Sequence, residues 1–436
     1  MSSVKDKIPA YDSLVVPYHL AQGAVAAAKY KFPARKMTVI GVTGTNGKTT
    51  TCFMIWKMLN SAGRKAGLMT TVAWGVDRLH KQVEHMTTVD ANTLNRRIDA
   101  IARKGAKYLV LEVTSHALVQ NRIMGVPIDI AVMTNVTHEH LDYHKTFENY
   151  RDAKRRLFKK ANFGVVNADD ESGIWFMQDV DNYITYGIKH GQLRATGVRL
   201  SASGVKYACG DIKLNKKACN IRADKMNIEV NIPGQFNVYN SLAAACVGLR
   251  LGLTEKQITD GLADLEEVEG RMNKVDVGQD FTAIVDYAHT PDAFLKVFGS
   301  VCAPKPKTGR RTKRVITVTG GAGRRDESTR AERGKIAAKY SDVLIITEDD
   351  SRDEDPEEIA KEFIKGAEEA GMVEGKNVVF EPDRKTAIER AVRLARADDL
   401  VLILGKGHEK TILRKDGAHA FEDLKVTKKA IEKLLK

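Results

Sequence analysis

No stretch of the 436 residues approaches the run of about 18 uninterrupted apolar residues that a membrane-crossing helix needs, so no membrane insertion is expected. The first ten residues carry Lys5 and Lys7 but are followed by no long apolar core with a small-residue cleavage site, so no secretory leader is expected either. A cytoplasmic location follows. Cysteine is scarce: Cys52, Cys209, Cys219, Cys246 and Cys302 are odd in number and lack metal-like pair spacing, which excludes a disulfide framework or structural zinc site and predicts reduced thiols. Aromatic residues make up only 6% of the chain, and no aromatic-rich RNA-binding signature, zinc finger or basic zipper occurs. The net charge of +13, with basic clusters at 154–156 and 305–314, calls for anionic partners. Charge alone does not choose between nucleic acid and phosphorylated small molecules, but the missing recognition signatures set nucleic acid aside.

What is present is length and alternation. A chain of 436 residues exceeds what one hydrophobic core organises, so two or three domains are expected. A short apolar strand at 37–42 runs into Gly44-Thr45-Asn46-Gly47-Lys48-Thr49-Thr50, and helical apolar spacing follows over 52–59. Further apolar strands at 108–113 and 128–133, with a helix at 93–104, imply a parallel sheet covered on both faces. The region 162–233 changes character and reads as an antiparallel insertion or sheet edge, and 240–251 and 255–265 read as helices. Beyond a boundary near Arg271 the alternation restarts, with strands near 282–286, 315–319, 343–347, 378–380 and 400–404. The expected fold class is α/β: a short segment 1–36, a central P-loop ATPase domain with a parallel sheet at 37–270, and a Rossmann-like α/β domain at 271–436. The Pro- and Lys-rich stretch 303–313 reads as a solvated loop, and 425–436 as an amphipathic surface helix.

The loop 44–50 carries the strongest chemistry. Backbone N–H groups at a helix N-terminus, joined by Lys48, make a site for nucleotide phosphates, and the hydroxyl of Thr49 suits Mg²⁺. A strict phosphate-loop pattern wants glycine six residues before the lysine, where this chain has Val42. Two later strands end in polar clusters, 112–116 and 135–142, and ligands of parallel sheets gather at such carboxyl ends. Glu112 and His140 there suit a second Mg²⁺. Taken singly either is more often structural, and His138, Glu139 and His140 offer a weaker zinc alternative. Lys154, in the amphipathic pattern 150–158, reads from pattern alone as part of a solvated face. Asp286, ending the strand before Tyr287 and His289, could accept hydrogen bonds from a ribose or simply precede a helix cap at Thr290 or Asp292. Gly320-Gly321-Ala322-Gly323-Arg324-Arg325-Asp326, Asp349-Asp350-Ser351-Arg352 and Gly405-Lys406-Gly407-His408-Glu409 give that half further polar or glycine-rich strand ends, and arginine's planar fork suits carboxylates.

In this order, the loop 44–50, the segment 135–142, Gly234-Gln235-Phe236-Asn237-Val238-Tyr239-Asn240 and Asp286-Tyr287-Ala288-His289 resemble the Mur ligases, with the resemblance running from about residue 37 to the C-terminus. The segments 112–122, 285–293, 320–330 and 405–409 are most similar to members that add a third amino acid to UDP-N-acetylmuramoyl-L-alanyl-D-glutamate. The resemblance implies ATP and Mg²⁺ as cofactors and an acyl phosphate as intermediate. Lys48 and Thr49 would hold phosphates and metal, Glu112 and His140 metal, and Asn237 and Asp286 the nucleotide. Lys154 matches the lysine that these ligases carbamylate into a metal ligand, against its reading as solvated. Thr87, Thr88, Thr114, Gln120 and Arg122 match positions that hold the nucleotide-sugar dipeptide; Arg325, Asp349, Asp350, Arg352, Gly405 and Glu409 match the amino-acid pocket. A monomer is expected.

Two departures qualify that expectation. The resemblance calls for an N-terminal domain gripping the uridine nucleotide, and 1–36 is too short to be one, so the nucleotide is expected to be held differently, by a partner, or replaced by another carrier. Members adding meso-diaminopimelate usually read Asp-Asn-Pro-Arg where this chain reads Asp349-Asp350-Ser351-Arg352. Arg352 and Glu409 keep charge-assisted contacts for diaminopimelate, while Asp350 adds a negative charge that would favour lysine; the contacts weigh more, and diaminopimelate is favoured. The alternatives are a folylpolyglutamate-synthase-like ligase and, from another class, a nucleic-acid-binding NTPase.

Overall fold

The computed structural model describes residues 11–436 apart from 83, 85, 202–203, 211, 214–221, 303–312 and 326. Cys219, Asp326 and most of the Lys- and Pro-rich stretch therefore lie outside the described residues. The four other cysteines are free thiols. Among the described residues, no helix is long and apolar enough to cross a membrane. The chain divides into two compact units: the described parts of 1–199, 204–231 and 236–266, and those of 267–436 with the short stretches 200–203 and 232–235.

The first unit is built on a nine-stranded sheet of β1 (Thr38–Thr43), β2 (Ala66–Met69), β3 (Ala73–Gly75), β4 (Leu79–Lys81), β5 (Tyr108–Glu112), β6 (Ile128–Met133), β7 (Ala161–Asn167), β8 (Tyr183–Gly187) and β9 (Leu193–Arg194), in the order β4-β3-β2-β5-β1-β6-β7-β8-β9. From β2 through β9 all neighbours are parallel, and β3 and β4 add an antiparallel edge. Its helices are α1 (Tyr11–Lys29), α2 (Lys48–Ser61), α3 (Ala91–Arg103), α4 (Ser115–Val119), α5 (Leu141–His144), α6 (Phe147–Phe158), α7 (Gly173–Met177), α8 (Phe236–Arg250) and α9 (Glu255–Ala263). The central strand β1, Thr-Val-Ile-Gly-Val-Thr, is buried from Val39 onward, as a strand covered on both faces must be. Gly41 lets α6 approach it, since a Cβ there would lie 3.1 Å from Leu157 Cδ1. Because β1 sits between β5 and β6, the strand order reverses beside it, and its carboxyl end is the topological switch point where α/β sheets bind ligands.

One expectation needs correcting. The antiparallel character does not begin at Asn162: β7 and β8 continue the parallel sheet, and only β10 (Thr196–Ser201), β11 (Gly204–Cys209) and β14 (Met226–Val230), with the short pair β12 (Ile212–Lys213) and β13 (Arg222–Ala223), form separate small sheets. The strand Tyr183–Gly187, Tyr-Ile-Thr-Tyr-Gly, carries a polar residue at its centre and is nonetheless buried from Ile184 onward. Its Thr185 satisfies its N–H and hydroxyl on Gln192 Oε1 and so can be buried.

The second unit carries β15 (Asn273–Val275), β16 (Thr282–Asp286), β17 (Val315–Thr319), β18 (Val343–Ile346), β19 (Val378–Phe380) and β20 (Leu400–Leu404) in the order β15-β16-β20-β17-β18-β19. All pairs are parallel except β15 with β16. A hairpin of β21 (Thr411–Arg414) and β22 (Gly417–Ala420) follows, and the helices are α10 (Pro291–Val301), α11 (Arg330–Tyr340), α12 (Pro356–Glu369), α13 (Arg384–Leu394) and α14 (Asp423–Leu434). Arg384 braces this unit. Its fully buried guanidinium forms two 2.8 Å bonds to the fully buried Asp423, and donates to the carbonyls of Leu404 and Glu348, so it ties the ends of β18 and β20 to α14. Arg384→Met is expected to destabilise this unit by about 3–5 kcal/mol, because Asp423 is left as a buried unpaired charge; urea unfolding followed by a probe in residues 267–436 measures it.

Candidate active site

At the carboxyl end of β1 the chain turns through Gly44 (φ 148°) and Gly47 (φ 84°) into α2. Both glycines are required sterically: a Cβ on Gly44 would lie 1.9 Å from Thr134 Oγ1, and one on Gly47 2.4 Å from Asn240 Oδ1. Val42 is a buried residue of β1, so the turn starts two residues later than in the strict pattern and still delivers the first N–H groups of α2 to one side. The loop is pinned by Asn135, whose Oδ1 accepts from Asn46 N at 3.0 Å and whose carbonyl accepts from Thr45 N at 2.7 Å. Asn237, buried on α8, accepts from Asn240 Nδ2 at 2.9 Å, and Asn240 in turn packs under Gly47. Gly47→Ala is expected to raise the KM for ATP about tenfold, since a left-handed φ costs an L-residue about 1–2 kcal/mol before the clash with Asn240 is counted; steady-state ATP titration checks it.

Lys48 folds its Nζ onto the Thr45 carbonyl at 2.6 Å, and Thr49 donates its hydroxyl to Glu112 at 3.0 and 3.2 Å. Thr50 is buried behind them. A buried hydroxyl and a buried carboxylate in contact, at the mouth of a phosphate loop, are a hard-oxygen donor pair of the kind that Mg²⁺ takes.

Lys154 is not on a solvated face. Only 2% exposed, it reaches from α6 to donate to the Gly44 carbonyl at 2.6 Å, with its Nζ 4.2 Å from the centre of the Tyr150 ring. Burial, and then the nearby Lys48 charge, hold its pKa well below the ordinary lysine value against the opposing pull of Glu139. Tyr150 joins this group by its hydroxyl, 3.1 Å from Thr45 Oγ1 and 3.3 Å from Glu139 Oε2. His140 caps α5 in a left-handed conformation (φ 55°), with Nε2 3.6 Å from Glu139. Its ring stands edge-on to His116, which also contacts Tyr143 and His144. Burial and the neighbouring histidines push His116 down to about 3, and burial with the Lys154 charge pushes His144 to about 4, so both are neutral imidazoles near pH 7. His138 instead stacks on Phe147, and among the described residues it forms no metal-ligand group with Glu139 and His140.

On the other side of β5, Thr88 accepts from Thr114 N and donates to the Glu112 carbonyl, while Arg122 donates to the Thr88 carbonyl and to Gln120 Oε1. Thr87, half-buried, adjoins them. The four residues Thr88, Thr114, Gln120 and Arg122 are thus brought together around one strand end.

In the second unit, Asp286 ends β16 buried, accepting from Met272 N at 2.7 Å and Ala288 N at 2.8 Å. Burial raises its pKa while Arg271, whose guanidinium lies 4.7 Å from the centre of the Tyr287 ring, opposes the rise. The helix-cap reading also holds, for Thr290 accepts from Ala293 N. Asp349, Asp350, Gly405 and Glu409 meet where β18 and β20 end. Arg352, half-buried with a left-handed φ of 55°, feels the charges of Asp350, Asp349 and Glu409, which oppose the lowering of its pKa by burial and by the exposed Arg325. The carboxylate of Asp350 is engaged within the protein: its Oδ1 accepts from Lys406 Nζ at 2.7 Å and from Leu413 N at 2.9 Å.

Sequence reasoning passed over Tyr150, Thr71, Arg271 and Lys406. Tyr150 was within reach, being four residues before Lys154 on one helix and so on the same face. Thr71 gives both its N–H and its hydroxyl to Glu112 Oε2, a contact made across the sheet edge without sequence signal.

Residues 42–248 match the Mur ligase middle domain, and residues 270–407 match the Mur ligase glutamate ligase domain. A UDP-N-acetylmuramoyl-L-alanyl-D-glutamate–2,6-diaminopimelate ligase of Clostridium acetobutylicum is 36% identical over 421 residues, covering 95% of this chain and 82% of that one. A UDP-N-acetylmuramyl-tripeptide synthetase of a Roseiflexus species is 38% identical over 414 residues, covering 90% and 78%. Among solved structures, a UDP-N-acetylmuramoyl-L-alanyl-D-glutamate–2,6-diaminopimelate ligase superposes with a TM-score of 0.61 at 28% identity over 92% of this chain and 79% of that one. With relatives this similar over this much of both chains, the protein belongs to the Mur ligase family of ATP-dependent, amide-forming ligases.

Proposed function

We propose that the protein joins meso-diaminopimelate to the D-glutamyl side-chain carboxylate of UDP-N-acetylmuramoyl-L-alanyl-D-glutamate at the expense of ATP, a step of peptidoglycan precursor synthesis. The observation that carries the reading is the buried Thr49–Glu112 pair beside Lys48, with Lys154 held on the Gly44 carbonyl of the same loop. Thr49, Glu112 and His140, with Lys154 once carbamylated, would hold Mg²⁺, which would supply charge neutralisation for the phosphoryl oxygens. Lys48 stabilises the transferring γ-phosphoryl group as an oxygen of the D-glutamyl carboxylate attacks phosphorus and ADP leaves. The amine of the incoming amino acid then attacks the acyl carbon, loses a proton, and expels phosphate. No side-chain nucleophile is needed, because positioning and fixed charge supply the rate. Thr87, Thr88, Thr114, Gln120 and Arg122 are assigned to the nucleotide-sugar dipeptide, Asn237 and Asp286 to ATP.

For the amino acid, the pocket residues Arg325, Arg352 and Lys406 balance Asp349, Asp350 and Glu409, three charges against three. A neutral set of fixed charges suits a zwitterionic end, such as the distal ammonium and carboxylate of diaminopimelate, whereas the lone ammonium of lysine leaves the arginines without a carboxylate. We further propose two functional domains, 37–270 for ATP and 271–436 for the amino acid, in a monomeric cytoplasmic enzyme that does not bind nucleic acid. The test is phosphate release with ATP, Mg²⁺, the UDP-linked dipeptide and either diamino acid, with the product identified by mass. Diaminopimelate-dependent release giving the tripeptide product supports the assignment, lysine-only turnover overturns the amino acid, and silence with both overturns the acceptor.

A further inference from the structure

Lys406 is fully buried, yet no sequence pattern singles it out from the glycines around it. Its ammonium has three N–H donors, and each meets a carboxylate: Glu409 Oε2 at 2.6 Å, Asp350 Oδ1 at 2.7 Å and Asp349 Oδ1 at 3.3 Å. The carboxylates are further held by the protein itself, Asp349 by Asp350 N at 2.8 Å, Asp350 by Leu413 N at 2.9 Å and Glu409 by the Tyr287 hydroxyl at 3.3 Å. The acids come from the end of β18 and the turn after β20, which are not neighbours in the sheet because β17 lies between them. One side chain therefore fixes two strand ends across a third. The flanking backbone is built for it: Gly405 (φ 118°) and Gly407 (φ 51°) are both left-handed, and a Cβ on Gly405 would lie 2.8 Å from Asp349 Oδ2.

From this geometry we infer that Lys406 is a positioning residue for the incoming amino acid: it gathers Asp349, Asp350 and Glu409 into one fixed cluster and absorbs the extra charge that Asp350 brings. Without it, three carboxylates would face one another with Arg352 and Arg384, the latter already tied to Asp423, as the cations acting on them. The guanidinium fork of Arg352 would then turn to the protein's own acids and away from the carboxylate of the substrate. The charge of Asp350 is paired with that of Lys406, so selectivity rests on Arg325, Arg352 and Glu409. This inference rests on the proposed diaminopimelate ligase reading.

The experiment uses the full chain with ATP, Mg²⁺ and the UDP-linked dipeptide. It measures KM for diaminopimelate, lysine and ATP, and, without any amino acid, hydroxylamine trapping of the acyl phosphate. Lys406→Met is expected to raise the diaminopimelate KM about 30-fold or more, as truncating one partner of a buried charge cluster does, while ATP KM and hydroxamate yield stay within about threefold. Asp350→Asn is expected to change the ratio of specificity for the two diamino acids by less than about threefold. An unchanged diaminopimelate KM in Lys406→Met overturns the inference, and so does a tenfold change of that ratio in Asp350→Asn, an arm that decides the matter even if Lys406→Met does not fold. Loss of hydroxamate and ATP binding together in a folded Lys406→Met protein also overturns it, by making the lysine structural. A wild-type protein inactive with diaminopimelate refutes the ligase reading instead.

Discussion

Lys154→Met is expected to lower kcat about a thousandfold while leaving the KM for ATP nearly unchanged. Methionine fills the same buried volume, so the packing of α6 against β1 survives, but the amine on the Gly44 carbonyl is lost. An ordinary lysine at pH 7 is almost wholly ammonium, with about one part in 2,500 as free amine. Burial and the Lys48 charge depress the pKa of Lys154, which raises the amine fraction at any pH between the depressed and the ordinary value. The neutral amine is the form that combines with CO₂, releasing a proton and leaving a carbamate, so the environment favours exchange of a cation for a carboxylate-like anion at this site. Wild-type activity should accordingly fall in buffer stripped of CO₂ and return on adding bicarbonate, and the intact protein should carry the extra mass of one CO₂ that Lys154→Met lacks. A variant that keeps a tenth of wild-type kcat, or wild-type rates indifferent to bicarbonate, would remove Lys154 from the metal site.

The burial of Lys154 was partly legible in the sequence. Tyr150, Lys154 and Phe158 stand four apart, with Ala153 and Leu157 beside them, so position 154 falls within the apolar stripe of α6 even though Arg155 and Arg156 follow it. Counting charges in the segment hides this, whereas counting the helical period reveals it. The strand, loop and helix around Lys48 were legible for another reason: an apolar run, glycines at positive-φ positions and a lysine are all local features. Glu112 and His140 could be nominated because polar residues end their strands. The ion pair of Asp350 was not legible, since its partner Lys406 is 56 residues away and the two meet only through the order of strands in the sheet. Extending the antiparallel region back to Asn162 failed for a related reason, since strand direction is set by non-local pairing, here of β7 with β6 and of β8 with β7.

Glu112→Gln should cost about 10²–10³ in kcat and shift the Mg²⁺ requirement to higher concentration. Glu112 is buried at the end of β5, and its carboxylate accepts from the Thr49 hydroxyl, the Thr71 N–H and the Thr71 hydroxyl. Glutamine replaces one acceptor oxygen by an NH₂ group. The amide oxygen is then needed at the Oε2 end, where the Thr71 N–H points, the NH₂ is left to the Thr49 hydroxyl, and the anionic charge that a divalent cation would use is gone. The change is local because the Thr49–Glu112 contact joins α2 to β5, and both elements are held independently by the sheet and by the packing of α8. Titration of Mg²⁺ at saturating ATP separates the two effects. A shifted half-maximal concentration with lowered kcat places Glu112 on the metal. Unaltered Mg²⁺ dependence, with activity lost only in proportion to lost folded protein, would reduce Glu112 to a brace for Thr71 and take the metal assignment of Thr49 down with it.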